Sequence, residues 1–338
     1  MLRSKLIAFI LVFACRFTYG QSPADPFIEA GLSKARAGEY AAAIKDYSIA
    51  IEWDSTQYRA FLNRGLAEAQ LDKYIAAIKD YSKAISLSPP NALIYYNRAI
   101  AYKALMQWYQ AIKDDDSAIL LRPKYKSAIL NRGIAEDDGG DYDGGIKDFS
   151  EVIILDKENF KAYYNRGDAK SHLKDWKGAI EDFTMAIKLN PRFAPAFLNR
   201  GSARYSLKDW NRAIEDTKDA IRLDPKEPKS YYNLGLAMSK INQTEEGIKQ
   251  LSIAISLKED YSSAFKARGV IFYNLLDYKS AMADLSKAIE LDSDDGAAYW
   301  YRGDIKRIRN LENPCADFIR SAQLGVSQGD ESIRRYCR

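Results

Sequence analysis

Six asparagines stand 34 residues apart in this chain: Asn63, Asn97, Asn131, Asn165, Asn199 and Asn233. A primary amide carries both a donor and an acceptor, so a row of them matches the main chain of an extended peptide whatever its side chains. The same amides could instead bond a neighbouring helix. One residue earlier in the same register stand Leu62, Tyr96, Leu130, Tyr164, Leu198, Tyr232 and Trp300. Apolar and aromatic residues left on a surface suit a protein partner better than a small polar ligand. Some of them would serve helix packing instead.

A charged register runs beside the amides. Arg64, Arg98, Arg132, Arg166, Arg200, Arg268 and Arg302 recur with the same period, and so do Asp46, Asp80, Asp114, Asp148, Asp182, Asp216 and Asp284. One stretch lacks both, carrying Leu234 and Gln250. Joint loss implies that the two rows face each other, within one repeat or between neighbours. Such a charge pair at a helix interface fixes register more than it adds stability. The alternative is an exposed arginine ladder that takes phosphate or carboxylate groups.

Other chemistry finds little support. A single histidine, His172, and three cysteines are too few for a zinc site or a Cys/His nucleophilic pair. There is no phosphate-binding loop and no nucleophile elbow. The run Asp137-Asp138-Gly139-Gly140-Asp141-Tyr142-Asp143-Gly144-Gly145 looks like a calcium loop, but its glycines do not fall where that loop needs them. Asn242-Gln243-Thr244 matches a glycosylation sequon and reads as part of a turn. No catalytic residue, metal or cofactor is expected.

The elements that must carry these rows are repeats. Asn63-Arg64-Gly65 returns as Asn97-Arg98-Ala99, Asn131-Arg132-Gly133, Asn165-Arg166-Gly167, Asn199-Arg200-Gly201, Asn233-Leu234-Gly235, Ala267-Arg268-Gly269 and Tyr301-Arg302-Gly303. The register gives nine units over 24–329, bounded as 24–57, 58–91, 92–125, 126–159, 160–193, 194–227, 228–261, 262–295 and 296–329. Position 4 of a unit is a large aromatic, as in Phe61, Tyr95, Tyr163 and Phe197, and position 20 is small, as in Ala43, Ala77, Ala111 and Ala179. Position 27 is alanine in eight units, among them Ala50, Ala84, Ala118 and Ala322, and position 32 is Pro89, Pro123, Pro191 and Pro225. Alanine lets helices approach closely, and proline stops them. Asp141, Asp175, Asp209 and Asp277 stand where an aspartate can cap the second helix of a unit.

In these positions and in its 34-residue period the chain resembles the tetratricopeptide repeat family over about nine tenths of its length. The resemblance implies an all-α, right-handed superhelical solenoid of about nine helix-turn-helix units, closed by a short capping helix over 330–338. It also implies an inner face formed by positions 2, 5, 6, 9, 12 and 13 of each first helix. That face would hold the six asparagines with Tyr96, Tyr164, Tyr232 and Trp300 as a groove for a peptide or partner protein. The lysine, asparagine and arginine set with which some family members hold a C-terminal carboxylate pair of a chaperone is not met in any three consecutive units. A non-enzymatic interaction scaffold is the function that the resemblance implies.

The chain has 338 residues, 47% hydrophobic and 28% charged, which suits a soluble fold extended by repetition. Its formal net charge of +4 includes Arg3, Lys5 and Arg16 of a leader, so the remainder is near neutral and nucleic acid is not an expected partner. Arg3 and Lys5 precede an apolar run from Leu6 to Ala14 that is too short to span a bilayer. Residues 1–20 read as a secretory signal cleaved before Gln21, with 21–23 a short linker, and the protein as secreted or periplasmic. The rival reading takes Val12-Phe13-Ala14-Cys15 as a lipobox. Cys15 would then be lipidated, anchoring a structural or assembly component of an outer-membrane complex.

Cleavage before Gln21 would leave two cysteines in an oxidising compartment, Cys315 and Cys337. Cys315 opens the second helix of the ninth unit and Cys337 closes the capping helix. Antiparallel packing of the two would bring them together as a disulfide. Two buried free thiols, with Cys315 standing in for the usual alanine, are the alternative.

Overall fold

The computed structural model describes residues 22–337. The expected signal over 1–20, the lipidation candidate Cys15 and the junction before Gln21 lie outside the described residues. The chain divides between Ala169 and Lys170 into two compact units. The first contains α1 (Asp25–Arg36), α2 (Tyr40–Trp53), α3 (Tyr58–Gln70), α4 (Tyr74–Leu87), α5 (Ala92–Ala104), α6 (Trp108–Leu121), α7 (Lys126–Asp138) and α8 (Tyr142–Leu155). The helix α9 (Phe160–His172) runs through the division. The second unit continues with α10 (Trp176–Leu189), α11 (Ala194–Ser206), α12 (Trp210–Leu223), α13 (Pro228–Lys240), α14 (Thr244–Leu257), α15 (Ser262–Asn274) and α16 (Tyr278–Leu291). It ends in α17 (Gly296–Ile308), α18 (Pro314–Gln323) and α19 (Ser327–Tyr336). Every described element is a helix, and the architecture is that of a helical-repeat solenoid.

Up to α18, odd-numbered helices are the first of each repeat and even-numbered ones the second, and α19 follows as a cap. Within each unit every helix packs on the next, and successive first helices also touch, α1 with α3, α5 with α7, α11 with α13 and α15 with α17. The contact that pairs the helices of one repeat is a small residue against a large one. A Cβ added at Gly65 would lie 2.9 Å from the Tyr81 ring, and one at Gly133 would lie 2.8 Å from Phe149. Ala77 and Ala84 are fully buried beside them. Close-packed interiors leave no slack for an extra methyl at such a point.

Each first helix ends the same way. The amide five residues on bonds back across the turn, as in Lys73 to Glu68 at 2.9 Å, Asp141 to Glu136 at 2.8 Å and Asp277 to Phe272 at 3.0 Å. The closure needs one residue in the left-handed region. That residue is Gly38 and Gly140 in two repeats, but Asp72, Met106, Lys174, Lys208, Asn242, Leu276 and Asn310 in the others. The side chains of Asp141, Asp175 and Asp277 cap the following helix, while Asp209 makes no cap and meets Arg212 instead.

Two boundaries differ from the sequence reading. The last helix starts at Ser327 rather than 330, because Gly325 turns left-handed at φ 81° and Val326 is extended, which lets a new helix begin at once. The 34-residue register also slips by one in the ninth repeat. Arg302 meets Asp317, 15 residues on, where the other repeats use 16, and Phe318 packs against Gly303. Cys315 is thereby moved off the position-20 alanine site. The slip lies between the turn closed by Leu311 and the helix capped by the left-handed Asn313.

Candidate functional site

The arginine row is built inward. Arg64 donates from Nε to Asp80 Oδ2 at 2.6 Å and from Nη2 to Oδ1 at 2.9 Å, and its Nη1 reaches Ser48 on the preceding α2 at 3.0 Å. Arg98 repeats this with Asp114 and Ser82, and Arg200 with Asp216 and Thr184. Arg268 does so with Asp284 and Ser252. Each guanidinium also lies near the aromatic three residues before it, 5.7 Å from the Phe61 centroid and 5.8 Å from Tyr95. One arginine therefore ties its own helix to both flanking ones through forked, charge-assisted bonds. Hydrogen bonding to Asp80 holds Arg64 firmly charged. The row is a staple between helices, and the pairing is within one repeat. Where it is missing, Leu234 is buried and Gln250 turns to Glu246 at 2.6 Å.

The asparagine row is not uniform. Asn131 is buried and donates to Asp115 Oδ2 at 2.6 Å, so its amide holds α7 to α6. Asn97 is buried as well, and Asn233 donates to Ser202 at 2.8 Å. Asn63, Asn165 and Asn199 are half-buried on their first helices. The aromatic positions divide in the same way. Tyr96 is buried against Tyr125 with ring centroids 5.1 Å apart, Tyr232 is half-buried against Tyr261 at 5.3 Å, and Trp300 donates to Ser332 of α19 at 3.2 Å. Tyr164 is half-buried. Asn63, Asn165 and Tyr164 in the first unit, and Asn199, Asn233, Tyr232 and Trp300 in the second, are the asparagine and aromatic members of the two rows that are only half-buried.

Asp115 was not singled out from the sequence, although one signal was present. It stands where other repeats carry Tyr81, Phe149 or Phe183, and its small-residue partner is Ala99 instead of glycine. The shorter acid leaves room for that methyl. Asp115 is fully buried, one carboxylate oxygen has no hydrogen-bond partner, and burial holds its carboxyl well above the usual range against the opposing bond from Asn131. Among the described residues no cluster of His, Cys, Asp or Glu is arranged to hold a metal, and no helix is long and apolar enough to cross a membrane. Cys315 and Cys337 are placed as a disulfide pair, with Cα atoms 5.7 Å apart.

Models of the TPR repeat match residues 65–105 and 201–242, and models of the tetratricopeptide repeat match 160–193 and 267–295. Those four stretches are similar to tetratricopeptide repeats, and the helical solenoid agrees with that likeness. Two solved structures extend the likeness in fold. A tetratricopeptide repeat protein from Parabacteroides merdae is 18% identical, with a TM-score of 0.59, over 75% of this chain and 100% of that one. The Cut9-Hcn1 hetero-tetramer of APC/C is 13% identical, with a TM-score of 0.60, over 92% of this chain and 76% of that one. No curated protein sequence matches this chain.

Proposed function

We propose that the protein is a non-enzymatic interaction scaffold whose first-helix surfaces bind a peptide segment or partner protein. The observation that carries this reading is the division of the asparagine row. Asn131 is buried against Asp115, whereas Asn63 and Asn165 in the first unit, and Asn199 in the second, keep the same register while only half-buried. An amide in that setting can serve a ligand main chain in addition to its helix. The charged row, which would have favoured an anionic small molecule, is turned into the helix interfaces.

A peptide selected from a displayed library against the whole chain supplies the probe. Asn165→Ala, and Asn199→Ala as a separate variant, should weaken its binding about tenfold for at least one of the two, with helicity retained. Asn131→Ala should lower stability. Unchanged affinity in both former variants would end the groove reading.

The leader over residues 1–20 supports release into the periplasm or medium. Lipidation at Cys15, with a role as an anchored assembly component, is the competing outcome. The intact mass of the mature protein separates an N-terminus at Gln21 from a diacylated Cys15.

A further inference from the structure

In four repeats a cation of the first helix reaches the buried aspartate of the second, besides any arginine of the row. Lys34 reaches Asp46 at 2.7 Å, Lys170 reaches Asp182 at 2.8 Å, Arg204 reaches Asp216 at 2.8 Å and Lys306 reaches Asp317 at 2.9 Å. These cations occupy position 11 of their repeats. The second and fourth repeats carry Glu68 and Glu136 at that position, so α3 and α7 place an acid beside Asp80 and Asp148 where the others place a base.

The surroundings do not compensate for the exchange. Glu68 faces Asp80, Lys79 and Tyr81 on α4, Lys73 in the turn and Arg64 on its own helix. Arg64 is already forked onto Asp80. Glu136 faces Asp148 on α8, Asp116 on α6, Asp141 in the turn and Arg132 on α7, and Arg132 is held by both Asp148 and Asp116. Its carboxyl lies over the start of α8, where a Cβ at Gly144 would be 3.0 Å from the Glu136 carboxyl carbon. In both glutamates Oε2 is buried with no hydrogen-bond donor. Burial first, and the adjacent aspartate second, push each carboxyl up to about 7.

We propose that Glu68 and Glu136 form a pH-responsive device confined to the N-terminal unit. Protonated, each carboxyl packs as a neutral group beside its aspartate. Ionised, each sets a second carboxylate against an arginine already engaged, and loosens α3 on α4 and α7 on α8. The fold raises these groups above their unfolded value. The stability linked to them is therefore complete below about 4.5 and falls as the pH rises through about 7. Position 11 in the C-terminal unit is Lys170, Arg204, Met238, Phe272 or Lys306, so that unit lacks the device.

Hydrogen exchange of the whole chain at pH 5.5 and pH 8.0, corrected for intrinsic rates, tests this. Amides of α3, α4 and α8 should exchange about tenfold faster at pH 8.0, while those of α12 to α16 keep their protection. Glu68→Gln with Glu136→Gln should abolish the difference. Glu68→Lys with Glu136→Lys, which copies Lys34 and Lys170, should abolish it too, so failure of one variant to fold leaves the other as the test. A pH difference that persists in α3, α4 and α8 of the variants, or that appears equally in both units, overturns the proposal.

Discussion

Arg98 closes a two-point hydrogen bond on Asp114, Nε to Oδ2 at 2.7 Å and Nη2 to Oδ1 at 2.8 Å, while its Nη1 reaches Ser82 of the preceding repeat at 2.8 Å. The aspartate is buried, so removing either partner strands the other where water cannot reach it well. Arg98→Ala or Asp114→Ala alone should cost about 3 kcal/mol. A double-mutant cycle of Arg98 with Asp114 should give a coupling of about 0.5 to 3 kcal/mol, and one of Arg98 with Asp80 should be additive. Urea unfolding of the single and double variants measures both. Additivity in the first cycle would return the arginines to the candidates for ligand binding.

The coupling was legible in the sequence because both rows fail together, at Leu234 and Gln250. The period was legible for a related reason: close contacts such as Gly65 against Tyr81 recur in each repeat and tolerate few residue types. The fate of single asparagines was not. Whether Asn131 faces outward depends on Asp115, one substitution in the neighbouring helix, and no periodic signal reports it. The left-handed turn residues were equally hidden, since Met106 and Leu276 have no local preference for that conformation and are held there by the packing on either side.

Asp115 gives the fold a buried acid whose ionisation its surroundings disfavour. Lys103 on α5, Arg132 and Asn131 on α7, and Asp114 on its own helix face it, and burial outweighs them. A raised carboxyl favours the protonated form in the native state, so its contribution to stability is complete at low pH and lost as the pH rises. Asp115→Asn keeps an acceptor for the Asn131 amide without the charge. The variant should match the parent near pH 4 and exceed it by about 1 to 3 kcal/mol at pH 8. Denaturant unfolding at the two values decides it, and an equal difference at both would show that Asp115 does not titrate in the native state.

Leu276 stands at φ 63° in an exposed turn, with the Asp277 amide closing the helix end onto Phe272. A branched side chain there carries a cost of about 1 to 2 kcal/mol that glycine avoids. Leu276→Gly should raise stability by about 0.5 to 1 kcal/mol, after the greater flexibility of glycine in the unfolded chain is deducted. Gly140→Ala, at φ 92°, should lower it by a similar amount. Thermal unfolding of the two variants reads the opposite signs. A loss of stability in Leu276→Gly would mean that the leucine side chain contributes packing that outweighs its backbone strain.

The last helix, α19, packs mainly on α18, with side-chain contacts to α17 through Trp300 and Arg307, and the end of a repeat array frays first. Phe318 and Tyr336 pack across the two helices with ring centroids 6.4 Å apart, and Arg307 lies 4.6 Å from the Tyr336 centroid. The Cys315–Cys337 bond would close this cap as a covalent loop spanning 22 residues. In the chain-entropy model such a loop stabilises by about 3 kcal/mol. Reduction, or Cys315→Ser with Cys337→Ser, should therefore raise hydrogen exchange in α18 and α19 and leave α11 to α14 unchanged. The oxidation state itself is read by alkylating the protein without reductant before mass spectrometry. Neither cysteine should react. Alkylation of both would show free thiols in the mature protein, and the cap would then rest on its aromatic contacts alone.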